Sequence, residues 1–190
     1  LDLSDRLSAL ATEGYDLAIR HTARPPDTHV AWSLCATESV LVATRAYIRQ
    51  HGEPQTPADL QAHNCLHYPR SQDSPAWTFE PRQMTDSASE RNASGFERLT
   101  VPVTGNFAAN NSEALREAAL TGAGIALLPD FSAQAALRQG KLVRVLPDWK
   151  PVGAFAETIF AIRPYAPHVP RAVTALVAHL RTGLVDGFGV

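Results

Sequence analysis

The chain has 190 residues, 45% of them hydrophobic, and a formal net charge of -2. That length suits one ordinary domain or two small lobes, and the mild acidity gives no electrostatic drive toward DNA or an anionic membrane surface. The apolar stretches are too short to cross a bilayer, and two cysteines, Cys35 and Cys65, are too few for a disulfide scaffold and fit idle thiols in a reducing compartment.

Leu1, Asp2 and Leu3 alternate as a strand already under way. With no initiator Met, the start reads as an excised part of something longer. Ser4 or Asp5 can cap a helix whose apolar face is Leu7, Leu10 and Ala11, with Gly14 closing it. Residues 15–20 form a short apolar strand after a turn that fits a right-handed parallel crossover. A Pro-rich loop over 21–28 follows, then strands at 30–34 and 39–43. A helical turn or two over 45–51 ends at Gly52. Thr56 caps a second short helix over 56–62, with Pro57 at its first position, where the missing N–H costs nothing. Residues 66–68 are a brief strand.

From 71 to 95 the composition turns polar. Only 77–79 reads as a strand there, and 83–95 reads as a surface loop. Residues 99–107 are extended. Asn110 or Asn111 caps a helix with Glu113 in its first turn, where the helix dipole favours negative charge, and Leu115, Ala118 and Ala119 form its buried face. Gly122-Ala123-Gly124 turns into a buried strand over 125–128. Asp130 caps a further helix ending near Gly140, and 142–146 is another strand. The βαβαβ order predicts a parallel sheet covered by helices. A strand at 158–162 and an amphipathic helix over 169–184 close the chain, with Val173, Leu176, Val177 and Leu180 on one face of the helix.

Catalytic spacings are missing. There is no G-x-S-x-G, H-E-x-x-H, P-loop or G-x-G-x-x-G motif, so an enzyme is not expected, nor a cofactor. The glycines around Ala123 follow a helix and precede a strand, the reverse of the dinucleotide order. His63 and His67 are four apart in a partly extended stretch, which does not make a metal site. The sequons at Asn92 and Asn110 read as chance. In open α/β sheets, ligands bind beyond the carboxyl ends of strands. Arg20, His21 and Thr22 lie at one such end. Asn110, Asn111 and Ser112 lie at another and also begin a helix, whose free amides attract anions. Pro129 and Asp130 lie at a third. These donors suit a small carboxylate, although Asn111 or Asn110 is also a plain cap and Arg20 also a plain surface charge.

The pattern Asp5-Arg6-Leu7 through Glu13-Gly14-Tyr15-Asp16-Leu17-Ala18-Ile19-Arg20 resembles "D-R-x-x-x-L-x-x-E-G-x-D-x-A-I-R" of the LysR-type transcription regulators. Ala46-Tyr47-Ile48, His51-Gly52-Glu53-Pro54 and Asp59-Leu60-Gln61-Ala62-His63-Asn64-Cys65-Leu66 resemble a second pattern of that family. Asn111-Ser112-Glu113-Ala114-Leu115, followed by Gly122-Ala123-Gly124-Ile125-Ala126-Leu127-Leu128-Pro129, is similar to a third, and Gly140-Lys141-Leu142-Val143 fits a fourth.

The resemblance implies an α/β fold of two Rossmann-like lobes, type 2 periplasmic-binding-protein-like, without the family's first strand and helix of lobe I. It implies lobe I at residues 1–63 and 150–190, and lobe II at 64–149. Two strands crossing between lobes are a hinge geometry. The effector cleft carries over onto Arg20, His21, Trp32, Tyr68, Asn110, Asn111, Ser112 and Pro129. Trp32 departs from the basic residue frequent at that place, which suits an aromatic or apolar ligand, or else core packing. The implied partners are a small-molecule effector and further copies of the chain, as a homodimer or homotetramer. DNA would be met only through a helix-turn-helix outside this sequence, in the cytoplasm. The competing reading is a periplasmic-type solute-binding protein, and the sequence before Leu1 would separate the two.

Overall fold

The structure, a computed structural model, describes residues 14–69, 75–82 and 98–188. The expected strand and helix within 1–13 and the loop at 83–95 lie outside the described residues. In chain order, β1 (Ala18–His21) and β2 (His29–Ala36) flank the Pro-rich loop, and β3 (Ser39–Ala43) is buried at every position. The helix α1 (Arg45–His51) begins where the Thr44 hydroxyl accepts from the Tyr47 amide at 3.2 Å, and it stops at Gly52, whose φ of 88° favours glycine. A 3-10 helix, Pro57–Ala62, follows. The Asp59 carboxylate steadies its start by accepting from the amides of Gln55 at 3.0 Å and Thr56 at 2.8 Å. Those bonds hold the Asp59 carboxyl below its ordinary range.

Then come β4 (Cys65–Leu66), β5 (Ala76–Pro81) and β6 (Leu99–Pro102). The second half holds α2 (Ser112–Leu120), β7 (Ile125–Pro129), α3 (Asp130–Arg138), β8 (Val143–Arg144), β9 (Trp149–Val152), β10 (Thr158–Pro164) and α4 (Arg171–Gly183).

The chain groups into two units. One holds the described residues up to Glu38 with those from Phe155 onward, and the other holds Ser39–Ala154. By contact, the chain passes between the units after Glu38 and after Ala154. The reason is β3, which joins the second unit's central sheet and carries α1 and the 3-10 helix with it.

In the first unit the sheet order is β1-β10-β2, with β10 antiparallel to both neighbours. Val173 and Val177 are the buried residues of α4. Leu176, placed by periodicity on the same face, is 47% exposed. The second unit has two sheets. The larger has the order β4-β7-β3-β8, and the smaller, antiparallel throughout, has β6-β5-β9.

The expected parallel sheet is instead mixed. Among the described strands β4 and β7 are the pair that runs parallel, and β3 enters between β7 and β8 antiparallel to both. A strand followed by a helix fixes local order, but the insertion of an earlier strand is a non-local choice that periodicity does not encode. The expected strand at 142–146 shrinks to β8, and the extended run at 99–107 forms only β6. Gly105 then passes so close to β4 that a Cβ there would lie 2.0 Å from the Cys65 carbonyl oxygen. The second unit's core is Val40, Val42, Leu66, Leu115, Ala119, Ala126, Leu128, Ala133, Ala136 and Leu142.

Candidate functional site

One edge of the second unit collects most of the residues singled out by sequence. Because β4 and β7 are parallel, their carboxyl ends lie at the same edge. Because β3 is antiparallel to β7, its first residue lies there too: Ser39 pairs with Pro129. Tyr68 stands two residues beyond β4 and packs against the core. The segment entering α2 runs beside the end of β4. His67 and Ala108 form a parallel bridge, the His67 amide donates to the Phe107 carbonyl at 3.3 Å, and the Ala109 amide donates to the His67 carbonyl at 3.2 Å. That bridge brings Asn110, Asn111 and Ser112 to the edge already occupied by Tyr68 and Pro129.

Local chemistry at this edge is specific. Asn111, not Asn110, is the cap of α2, its Oδ1 accepting from the Ala114 amide at 3.0 Å. The amides of Ser112 and Glu113 remain without intrahelical partners, as the first amides of any helix do. The Ser112 hydroxyl lies 2.8 Å from that of Ser132, and Ser132 donates to a Glu113 carboxylate oxygen at 2.9 Å. Since Ser132 spends its proton on Glu113, it accepts from Ser112. This relay ties the start of α2 to the start of α3. Glu113 is paired in turn with Arg116, which also holds Glu117. The hydrogen bond to Glu117, ahead of the charges of Glu113 and Glu117, raises the Arg116 pKa.

Ser132 is buried, as is Asp130, whose Oδ1 accepts from the Phe131 amide at 2.8 Å. Pro129 rather than Asp130 is the residue preceding α3, so the expected Asp130 cap is corrected: Asp130 is the first helical residue. Ser132 and Ser39 went unremarked in the sequence reading. A serine three residues past Pro129, in the first turn of a helix that follows a buried strand, was the available signal for Ser132.

The first unit places its three candidates less uniformly. His21 ends β1, opposite Ile159 near the start of β10, while Thr158 pairs with Ala36 at the end of β2. The ends of β1 and β2 and the start of β10 therefore share one edge. Arg20 pairs with Phe160, and neighbouring residues of a strand face opposite sides of the sheet. Arg20 and His21 therefore do not point together. Trp32 pairs with Ala161, two residues along β10 from Ile159, which puts it on the face of His21 and back from the shared end of the strands. The His21 Nε2 lies 2.6 Å from the Ala156 carbonyl oxygen and 2.9 Å from the Thr37 hydroxyl.

The two thiols, Cys35 and Cys65, are both buried, and burial pushes the Cys65 thiol up to about 12. His63 and His67 have different surroundings. The Nδ1 of His63 lies 3.2 Å from the Tyr47 hydroxyl, and that of His67 lies 3.3 Å from the Cys65 carbonyl. Among the described residues no helix is long and apolar enough to cross a membrane.

The model of the LysR substrate binding domain matches residues 1–185. The probable HTH-type transcriptional regulator LtrA of Klebsiella pneumoniae is 31% identical over 180 residues, covering 95% of this chain and 54% of that protein. The HTH-type transcriptional regulator PtxR of Pseudomonas aeruginosa is 33% identical over 182 residues, covering 95% and 53%. This chain thus spans about half the length of those two relatives. Among solved structures, the regulatory domain of AphB in Vibrio vulnificus aligns with a TM-score of 0.66 at 25% identity, covering 95% of this chain and 79% of that one.

Proposed function

The chain belongs to the LysR substrate-binding domain family, and on that premise we propose that it senses a small effector for a bacterial transcription regulator. The relatives named above are regulators of transcription and not enzymes. The proposed ligand is a small carboxylate or aromatic molecule held in a cleft between the two lobes. Tyr68, Asn110, Asn111, Ser112 and Pro129 would meet it from the second unit, and Arg20, His21 and Trp32 from the first. In the whole protein, DNA contact would belong to a helix-turn-helix, the assembly would be a homodimer or homotetramer, and the place of action would be the cytoplasm.

One observation carries this reading. The start of α2, with two amides that have no intrahelical partner and a serine relay, shares a sheet edge with the end of β7 and with Tyr68. Free amides at a helix start favour an anion, and the aromatic ring supplies apolar surface beside it. The test is a thermal-shift panel of small aliphatic and aromatic carboxylates on the purified protein. At least one should raise the melting temperature in a saturable way, since a ligand bound only to the native state stabilises by mass action. The same acid should lose its effect on Ser112→Pro, which removes one of those amides at a helix position that tolerates proline. If every acid that shifts the wild type shifts this variant equally, the reading is wrong about the site.

A further inference from the structure

We propose that His21 is a latch that ties together the two chain segments joining the units, making them one hinge. This gives the ligand-sensing reading its moving part and rests on it for its purpose, though not for its test. The chain passes from one unit to the other after Glu38 and again after Ala154. Thr37 stands just before the first passage and Ala156 just after the second, so residues far apart in sequence guard the two connections. They are joined directly. The Thr37 amide donates to the Glu157 carbonyl at 3.0 Å, and its hydroxyl donates to the Ala156 carbonyl at 3.1 Å.

His21 adds the third corner. Its Nε2 is 2.6 Å from the Ala156 carbonyl oxygen and 2.9 Å from the Thr37 hydroxyl. A carbonyl can only accept, so Nε2 carries the proton and donates. Thr37 gives its own proton to Ala156 and can accept from His21. The result is a closed triangle of one imidazole N–H, one hydroxyl and one carbonyl. Phe155 stacks near the imidazole, with ring centroids 6.4 Å apart and planes 18° off parallel. The amide of Thr22, the residue after β1, donates to the Thr158 carbonyl at 3.3 Å.

The physical consequence follows from where motion can occur. Hinges are a few residues at element ends that absorb changes of φ and ψ. Two separate connections could flex independently and give a diffuse set of arrangements. Anchored to the end of β1 and to each other, they must flex together beyond the anchor. With its Nε2 proton committed to the hinge, His21 acts there as a positioning residue in addition to the ligand contact proposed above. Thr37, only 8% exposed, completes the latch although no sequence pattern marked it.

The test needs no ligand. Amide exchange resolved by residue is measured on the purified protein, its His21→Ala variant and its Thr37→Val variant. Thr37→Val keeps shape and removes only the hydroxyl. A latch predicts that exchange at Thr37 and Thr22 rises about tenfold in either variant, the factor that accompanies loss of one hydrogen bond of ordinary net worth. The amides of Ala161 and Ile162, deeper in the same sheet, should keep their rates. In parallel, spin labels at Arg49→Cys in α1 and His179→Cys in α4, both exposed positions, should report a broader distance distribution when His21→Ala is added. The native thiols are buried and do not compete for label. Unchanged exchange at Thr37, equal acceleration through the whole sheet, or an unaltered distance distribution would each overturn the latch. None of these results touches whether a carboxylate binds at α2.

Discussion

The tightest constraints on single residues surround the short strand β4. A Cβ on Gly124 would lie 2.2 Å from the Asn64 carbonyl oxygen, and one on Gly105 would press the Cys65 carbonyl from the other side. Both contacts are with backbone, which cannot rotate away. Gly124→Ala should therefore cost about 1–3 kcal/mol of stability by overpacking, read as a lower urea midpoint at unchanged slope. Gly183, at the end of α4, has nothing within 4 Å of the same position. Gly183→Ala should instead stabilise by about 0.4–1 kcal/mol through the unfolded chain. A loss at Gly183 as large as at Gly124 would show that local sterics are not what distinguishes them. His63 supplies a pH prediction. It is buried beside Tyr47, whose hydroxyl accepts from the Asn64 amide at 3.0 Å and lies 3.2 Å from the His63 Nδ1. Desolvation, with the nearby His51 charge second, lowers the His63 pKa, and Asp59 opposes them. The folded state thus takes up this proton less readily than the unfolded state. Stability from this group is complete above the ordinary histidine pKa and falls as pH drops below it, by at most about 1.4 kcal/mol per pH unit. Urea unfolding at a series of pH values should show a shallower acid-side loss in His63→Gln. Parallel curves for the two proteins would contradict the assignment.

At the scale of elements, α2 joins core packing to the proposed ligand site. Leu115 and Ala119 bury its inner face while Asn111 holds its start. Asn111→Ala should cost about 1 kcal/mol as a lost cap, and Leu115→Ala about 2–5 kcal/mol as a core cavity. Chemical unfolding separates the two, and a cap loss exceeding the core loss would mean that Asn111 does more than cap. This helix was readable from sequence because its signals are local: Asn at the cap, Glu in the first turn, Leu and Ala at helical spacing. The same locality made α1 legible, with its stop at Gly52, and made β3 legible as an apolar run. What escaped was pairing. The place of β3 between β7 and β8 depends on partners more than 80 residues away, and β9 has Lys150 and Pro151 inside a short strand that no alternation marks. The edge chemistry was half legible for a related reason. Pro129 and the Asn-Ser start of α2 were visible as strand ends and caps. Ser132 gains its role only because α3 folds back against α2, and Thr37 only because β1 ends beside it.

For the whole molecule, charge decides what the chain can do to DNA by itself. Affinity for duplex DNA comes largely from neutralising phosphates with Lys and Arg and releasing counterions. Here 17 Lys and Arg are set against 19 Asp and Glu. Several of the cations are already spoken for. Arg24 pairs with Asp27, Arg98 with Glu80, and Arg116 with Glu113 and Glu117. The start of α2 carries the exposed Glu113, which would repel a phosphate backbone laid along it. A regulator that contacts DNA through a separate domain has reason to keep its sensing part like this. On the proposed reading, an acidic sensing part avoids competing with the DNA-binding domain for the duplex. The purified 190-residue chain should therefore show no sequence-dependent mobility shift with duplex DNA at physiological salt. Lowering the salt should reveal at most weak binding that does not distinguish sequences. Tight binding that survives physiological salt and discriminates one duplex from another would place DNA recognition on this chain, against the division of labour proposed for it.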